Sequence, residues 1–169
     1  LGFAMQKLGF HILNTVTWFK PNASPNLACR FFTHSTEIVI WAAPERGKKL
    51  THTFHYPKMK ADNGGKQMRD VWSITDDGQG VVWTLTAPGK SEKREGRHPT
   101  QKPIALLDRI ITASSSPGDL VLDPFNGSGT TGLVSLMRGR RYIGIDLDEQ
   151  YLDLSARRMA NHPSPIHAR

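Results

Sequence analysis

The stretch DLVLDPFNGSGTTG (residues 119–132) leaves few architectures open. An apolar run ends in an acid and a proline, crosses a turn with glycines at 127 and 129, and re-enters a helical pattern, TTGLVSLMRG. Strand, glycine turn and helix in that order mark the place where parallel α/β sheets bind ligands. Gly127 and Gly129 permit positive φ and let backbone approach a ligand closely. The next apolar segment, RYIGIDLD, carries Asp146, 146 − 127 = 19 residues after Gly127. An acid at that distance typically grips ribose hydroxyls, so the spacing indicates an adenosine-type cofactor. A P-loop needs Gly-Lys-Ser/Thr, and no lysine follows this turn. Gly127, Gly129 and Gly132 satisfy a dinucleotide fingerprint formally. Asp123 at the strand end, however, would repel a pyrophosphate and suits a cation or an amine. The charge pattern favours S-adenosylmethionine, with its sulfonium and α-amino group, over a dinucleotide. A purely structural strand–helix turn is the third reading.

Around this turn the pattern is regular. TQKPIALLDRIITASSSPG predicts an amphipathic helix with Ile104, Leu107, Ile110 and Ile111 on one face, Thr100 as N-cap and Pro103 in the first turn. Residues 149–160 predict a last helix with Leu152, Ala156 and Met159 on one face. Helix–strand–helix–strand–helix implies a right-handed parallel α/β unit. Upstream, residues 1–9 read as the end of a helix closed by Gly9. HILNTVTWF (11–19) and STEIVIWAA (35–43) read as strands, the second buried on both faces. THTFHY (51–56) reads as a third, antiparallel to the second. Residues 57–97 have no sustained period and read as a functional loop region or a small inserted subdomain.

Composition narrows the class. The 169 residues are 38% apolar, enough for one domain with a real core. No apolar run approaches the ~18 residues of a membrane span. Cys29 is the only cysteine, which excludes an intrachain disulfide and a cysteine zinc cluster; it is expected as a small core residue in a reducing cytoplasm. The net charge of +7 is uneven. Residues 46–102 hold 12 basic and 6 acidic side chains, against 3 and 2 before them and 7 and 7 after. That excess suits either a polyanion partner or a solvated loop region. The sequence opens on Leu1, abruptly and inside a helical pattern, so the natural protein is expected to extend upstream.

DPFNGSGTTG with GIDLD after it and HPTQKP before it resembles the amino-methylating DNA methyltransferases, which methylate N6 of adenine or N4 of cytosine. HPTQKP ahead of the cofactor loop resembles the permuted β class, whose catalytic half comes first. LNTVTWFKPNASPN and RFFTHSTEIVIWA resemble that half, and NGGKQMRDVW resembles the target-recognition region of adenine-specific members. The resemblance covers about residues 1–160 and implies a Rossmann-like adenosylmethionine-dependent fold in circularly permuted order. It divides the chain into residues 1–56 of the catalytic half, 57–97 for target recognition and 98–169 for adenosylmethionine. It implies that Asp123 holds the methionine amino group and Asp146 the ribose. Pro124, Phe125, Gly127, Ser128, Gly129 and Thr130 would line the cofactor, with Thr100, Gln101 and Lys102 by the methionine carboxylate. Double-stranded DNA is the implied partner. Lys20, Arg30 and Lys66 are candidates for phosphate contacts and Gln67 and Arg69 for base edges. Trp18, Phe31 and Phe32 are candidates to stack a flipped base, although aromatics more often fill cores. His34 reads as a hydrogen-bonded structural residue.

An exocyclic base amine is a poor nucleophile, because its lone pair is delocalised into the ring. The family holds a flipped base with an Asp, Asn or Ser followed by two prolines and an aromatic. None of the 11 prolines here is adjacent to another, so that motif is absent and is expected upstream of Leu1. The resemblance therefore implies an incomplete sheet in this chain, and a chain that alone is inactive. Residues 11–19 and 119–125 should lack the strand between them, leaving a gap, a wrong pairing or a strand recruited from a homodimer or a complementing chain. A non-catalytic DNA- or cofactor-binding remnant, or one half of a split enzyme, is the alternative.

Overall fold

The computed structural model describes residues 1–21, 23–44, 51–72 and 88–161. The chain divides into two compact units, Leu1–Thr86 and Ala87–Arg169.

In the first unit, α1 (Gly2–Lys7) ends at Gly9, whose φ of +80° lets the chain reverse into β1 (Phe10–Phe19). β2 (Thr36–Pro44) pairs antiparallel with β1, with a bulge between Ile12 and Asn14. β3 (Val71–Trp72) adds in parallel to β1, giving the order β2-β1-β3. Val16, Trp18, Ala43 and Met59 form the buried apolar core. Each large side chain among them contributes about 1.5–3 kcal/mol by leaving water.

Three expectations fail in this unit. Residues 51–55 form no strand, and the antiparallel partner of β2 is β1. The next element is a short helix, α2 (Tyr56–Asp62), with Pro57 in its first turn. A proline presets helical φ and cannot donate to a strand ladder. β2 is not buried on both faces either, because Ile38 is 58% exposed. Cys29 is exposed, with φ of +51°. Its loop is held locally: the Cys29 N–H donates to Asn26 O (3.1 Å), and Asn26 Nδ2 donates to Phe31 O (2.8 Å), so no burial is needed.

The second unit is built on β4 (Leu120–Asp123) and β5 (Arg141–Gly144), a parallel pair with Leu122 opposite Ile143 and Asp123 opposite Gly144. α4 (Thr130–Met137) makes the crossover, as the strand–helix–strand pattern predicts. α3 (Ile104–Ser114) and α5 (Glu149–Ala160) complete it. Gly132 is where the layers meet: a Cβ there would lie 2.2 Å from Met159 Cε and 2.3 Å from the Tyr142 ring. Among the described residues the strands thus fall into two separate sheets, of three and two strands. Both sheets are partial among the described residues, in keeping with the expected missing strand.

Two helix details depart from the periodicity. Pro103, not Thr100, occupies the N-cap position of α3, because Glu92 Oε2 accepts the Ile104 N–H (2.9 Å) and does the capping. α5 buries Leu154, Ser155 and Arg158, while Leu152 and Ala156 face outward. The glycine turn dictates that face, as its geometry makes plain.

Candidate cofactor site

The turn after β4 is closed by backbone. Asp123 O accepts the Ile145 N–H and Ile145 O accepts the Asn126 N–H, both at 2.9 Å, so β5 continues to hold the chain past the strand end. Gly127 (φ +49°) and Gly129 (φ +70°) then carry the backbone through left-handed conformations into α4. At Gly129 a Cβ would meet Ser155 Oγ at 2.2 Å and Ser155 Cα at 3.1 Å. Only glycine opposite a small serine allows α5 that close.

Asp146 clasps this turn. Its Oδ2 accepts the Gly127 N–H at 2.6 Å and its Oδ1 accepts the Asp148 N–H at 3.0 Å. The N–H groups of Asp148 and then Gly127 hold the carboxyl below the usual carboxylate range. Leu147 N–H and the charge of His98 add to this, and partial desolvation opposes it. A carboxylate has about four lone-pair directions. The Asp148, Gly127 and Leu147 N–H groups therefore still leave acceptor capacity for a hydroxyl. Asp123 Oδ1 accepts the Phe125 N–H at 3.0 Å in an Asx turn.

Several residues that the sequence did not single out set this frame. Asn126 is buried and its Oδ1 accepts from Tyr142 Oη (2.7 Å) and Ser155 Oγ (3.3 Å). Burial, and then the charge of Asp123, push the Tyr142 hydroxyl well above its ordinary pKa, so it stays a neutral donor. Buried Arg158 donates through Nη1 to Ser128 O (2.5 Å) and Thr130 Oγ1 (3.0 Å), fastening α5 to the turn. A small residue facing a glycine, and a buried arginine on a helix, leave no mark in periodicity.

The loop before α3 reaches the same turn through His98. A Cβ on Gly127 would lie 3.2 Å from His98 Nε2, and the imidazole packs edge-on against Tyr151 with centroids 4.2 Å apart. The Thr100 N–H donates to His98 Nδ1 at 3.2 Å. Gln101 is buried; its Nε2 donates to Glu92 O (2.8 Å) and its Oε1 has no hydrogen-bond partner. Lys102 is half-buried, and Phe125 is 87% exposed beside exposed Pro124. The structure thus gathers Asp123, Gly127, Ser128, Gly129, Thr130 and Asp146 around one turn.

The residues considered for DNA lie in the first unit. Lys20 Nζ is 3.0 Å from Glu37 Oε1 and 5.6 Å from the Trp18 ring centroid. Trp18 is a core residue at 3% exposure, whereas Phe31 and Phe32 are exposed. His34 is exposed, with its ring 5.6 Å from that of Phe31. Arg30, Lys66, Gln67 and Arg69 are exposed. The 63–72 loop has its own support. Buried Asn63 donates through Nδ2 to Lys66 O (3.0 Å) and Gln67 O (3.2 Å), and Trp72 Nε1 donates to Arg69 O (2.8 Å).

Comparison with known proteins places the chain in a family. Residues 1–157 match the DNA methylase family. The chain belongs to that family. It is 50% identical over 159 residues to the type II methyltransferase M2.DpnII of Streptococcus pneumoniae, covering 94% of this chain and 55% of that protein. Against M2.LlaDCHI of Lactococcus lactis subsp. cremoris the identity is 48% over the same length and coverage. Among solved structures, the M1.HpyAVI–SAM complex superposes with a TM-score of 0.67 at 30% identity, over 92% of this chain and 65% of that one. The chain therefore spans about half the length of the curated relatives it matches. Among the described residues no helix is long and apolar enough to cross a membrane.

Proposed function

We propose that this chain is the donor-binding and target-contacting part of a site-specific DNA methyltransferase, which moves a methyl group from S-adenosylmethionine to an exocyclic base amine, adenine N6 before cytosine N4. The observation that carries the reading is the pair of carboxylates, Asp123 and Asp146, at the ends of adjacent parallel strands around a left-handed glycine turn. Two acids at the turn, with the Arg158 guanidinium engaged by Ser128 O and Thr130 Oγ1, suit an ammonium, a sulfonium and ribose hydroxyls better than a pyrophosphate. When bound, S-adenosylmethionine supplies an electrophilic methyl group on sulfur.

The chain's own residues bind and orient. Asp146, held ionised by the Asp148 and Gly127 N–H groups, accepts from the ribose. Asp123 takes the methionine ammonium. Phe125 and the 127–130 backbone line the donor, and Thr100 and Lys102 face the methionine carboxylate. Gln101 presents a buried acceptor, Oε1, which fits an N–H donor better than a carboxylate. Arg30 and Lys66 contact phosphates, with Lys20 in a supporting ion pair; Gln67 and Arg69, in the 57–97 region, read base edges. The base amine itself needs the acid–proline–proline–aromatic motif, which these 169 residues do not contain. A further segment or a second chain supplies it, and the assembly works on double-stranded DNA in the cytoplasm.

The decisive test is labelled methyl transfer from adenosylmethionine to unmethylated DNA by the natural polypeptide, with the 169-residue chain alongside. Transfer by the natural polypeptide and none by the isolated chain is expected. No transfer by either, with donor and DNA bound, would favour a binding remnant. For Arg69→Ala, relaxed discrimination between cognate and random duplexes is expected, by about 1–3 kcal/mol. Equal loss on both would make Arg69 a phosphate contact.

A further inference from the structure

His98 carries none of the roles given to its neighbours, yet its ring meets three separate parts of the second unit. Its Nδ1 accepts the Thr100 N–H at 3.2 Å, with the Thr100 hydroxyl 3.4 Å away. Accepting that bond puts the ring proton on Nε2. Nε2 and Cε1 lie 3.2 and 3.3 Å from where a Gly127 Cβ would stand, so the imidazole occupies the space that the glycine leaves. The ring edge rests on Tyr151 of α5 at a 63° tilt. One side chain thus touches the 97–103 loop, the glycine turn and α5.

We infer that His98 is a positioning residue that sets the separation between the Thr100–Lys102 segment and the Gly127 turn, and so the length of ligand the site accepts. The inference rests on the adenosylmethionine reading, in which the first segment meets the methionine end and the turn meets the ribose. A rigid ring in van der Waals contact on one side and hydrogen-bonded on the other acts as a spacer of fixed size. Without it Thr100 N–H loses its acceptor and a gap opens over Gly127. Each end of the site keeps its own contacts but the two lose their register. The loss should therefore fall on ligands that bridge both ends.

The experiment compares adenosylmethionine and adenosine binding by calorimetry in the natural polypeptide and in His98→Ala, His98→Asn and His98→Gln. For His98→Ala, adenosylmethionine should bind about tenfold or more weaker, while adenosine changes by less than about threefold. Asn places its carbonyl oxygen near the position of Nδ1 and should recover most of the affinity; Gln, one methylene longer, should not. Unchanged adenosylmethionine affinity in His98→Ala, equal losses for both ligands, or equal losses in the Asn and Gln variants would each overturn the spacer role. If the unsubstituted protein bound adenosine but not adenosylmethionine, the donor reading itself would fall, and this inference with it. Melting temperatures measured in parallel identify a variant that fails to fold, and His98→Asn, the closest in shape, then carries the test.

Discussion

Asp146 is the residue through which local backbone and ligand chemistry meet. Its carboxylate is shared between two backbone N–H groups and stands partly in solvent. Its pKa is depressed in the fold. What the clasp contributes is therefore fully present above an ordinary aspartate pKa of about 3.9, and is lost as pH falls through the depressed value. A carbon-13 titration of this carboxyl should give a midpoint below the ordinary value, and donor affinity should stay flat through mildly acidic pH. Asp146→Ala should weaken adenosylmethionine binding; an unchanged dissociation constant would refute the ribose role. Gly129 makes a second case. An added Cβ meets Ser155 at 2.2 Å in a backbone conformation that L residues avoid. Gly129→Ala should cost about 1–3 kcal/mol, read from the denaturant midpoint, whereas the same change at exposed Gly118 has only its own φ of +88° to contend with. Both positions are legible in sequence as Gly-x-Gly and an acid nineteen residues on. Ser155, Asn126 and Arg158 are not, because their roles come from contacts between residues far apart in the chain.

The secondary-structure elements follow local pattern closely, and their faces do not. The β4–α4–β5 order and the extent of α5 match the periodicity of the sequence. Hydropathy alone, however, would bury Leu152 and Ala156 of α5, and the fold instead buries Ser155 and Arg158. A glycine turn needs a small neighbour and a donor for its carbonyl, and that demand outranks the apolar stripe. Elements are also joined by side chains that hydropathy counts as surface. Arg138 forms a bidentate pair with Asp108, joining α4 to α3. Arg140 is buried, donating through Nε to Ser115 Oγ (3.1 Å) and through Nη2 to Ser115 O (2.5 Å) at the end of α3. Arg140→Ala removes both of these bonds to Ser115 and should destabilise the fold by about 2–4 kcal/mol, measured by thermal or denaturant unfolding. A smaller effect than Arg138→Ala, whose ion pair is partly exposed, would contradict this account.

At the scale of the whole molecule the open face of the two-stranded sheet dominates. Leu120 (51% exposed), Leu122 (58%), Ile143 (48%) and Ile145 (52%) share one face of the β4–β5 pair, and α4 lies on the other. Parallel sheets are normally covered on both faces. The isolated 169-residue chain should therefore bind a hydrophobic dye, and Leu122→Ser with Ile143→Ser should remove roughly half of that signal without lowering the melting temperature. Dye binding unchanged by the double substitution would place the sticky surface elsewhere. The glycine spacing, the strand-end acids, the crossover unit and the absence of paired prolines were all readable from residue order, because each depends on backbone conformation or on neighbours in the chain. The helix at 56–62, the exposure of Cys29, the inward face of α5 and the place of His98 were not. Each depends on which distant backbone approaches closely enough to demand a donor, a small side chain or a ring of one size, and that is set only when the chain packs.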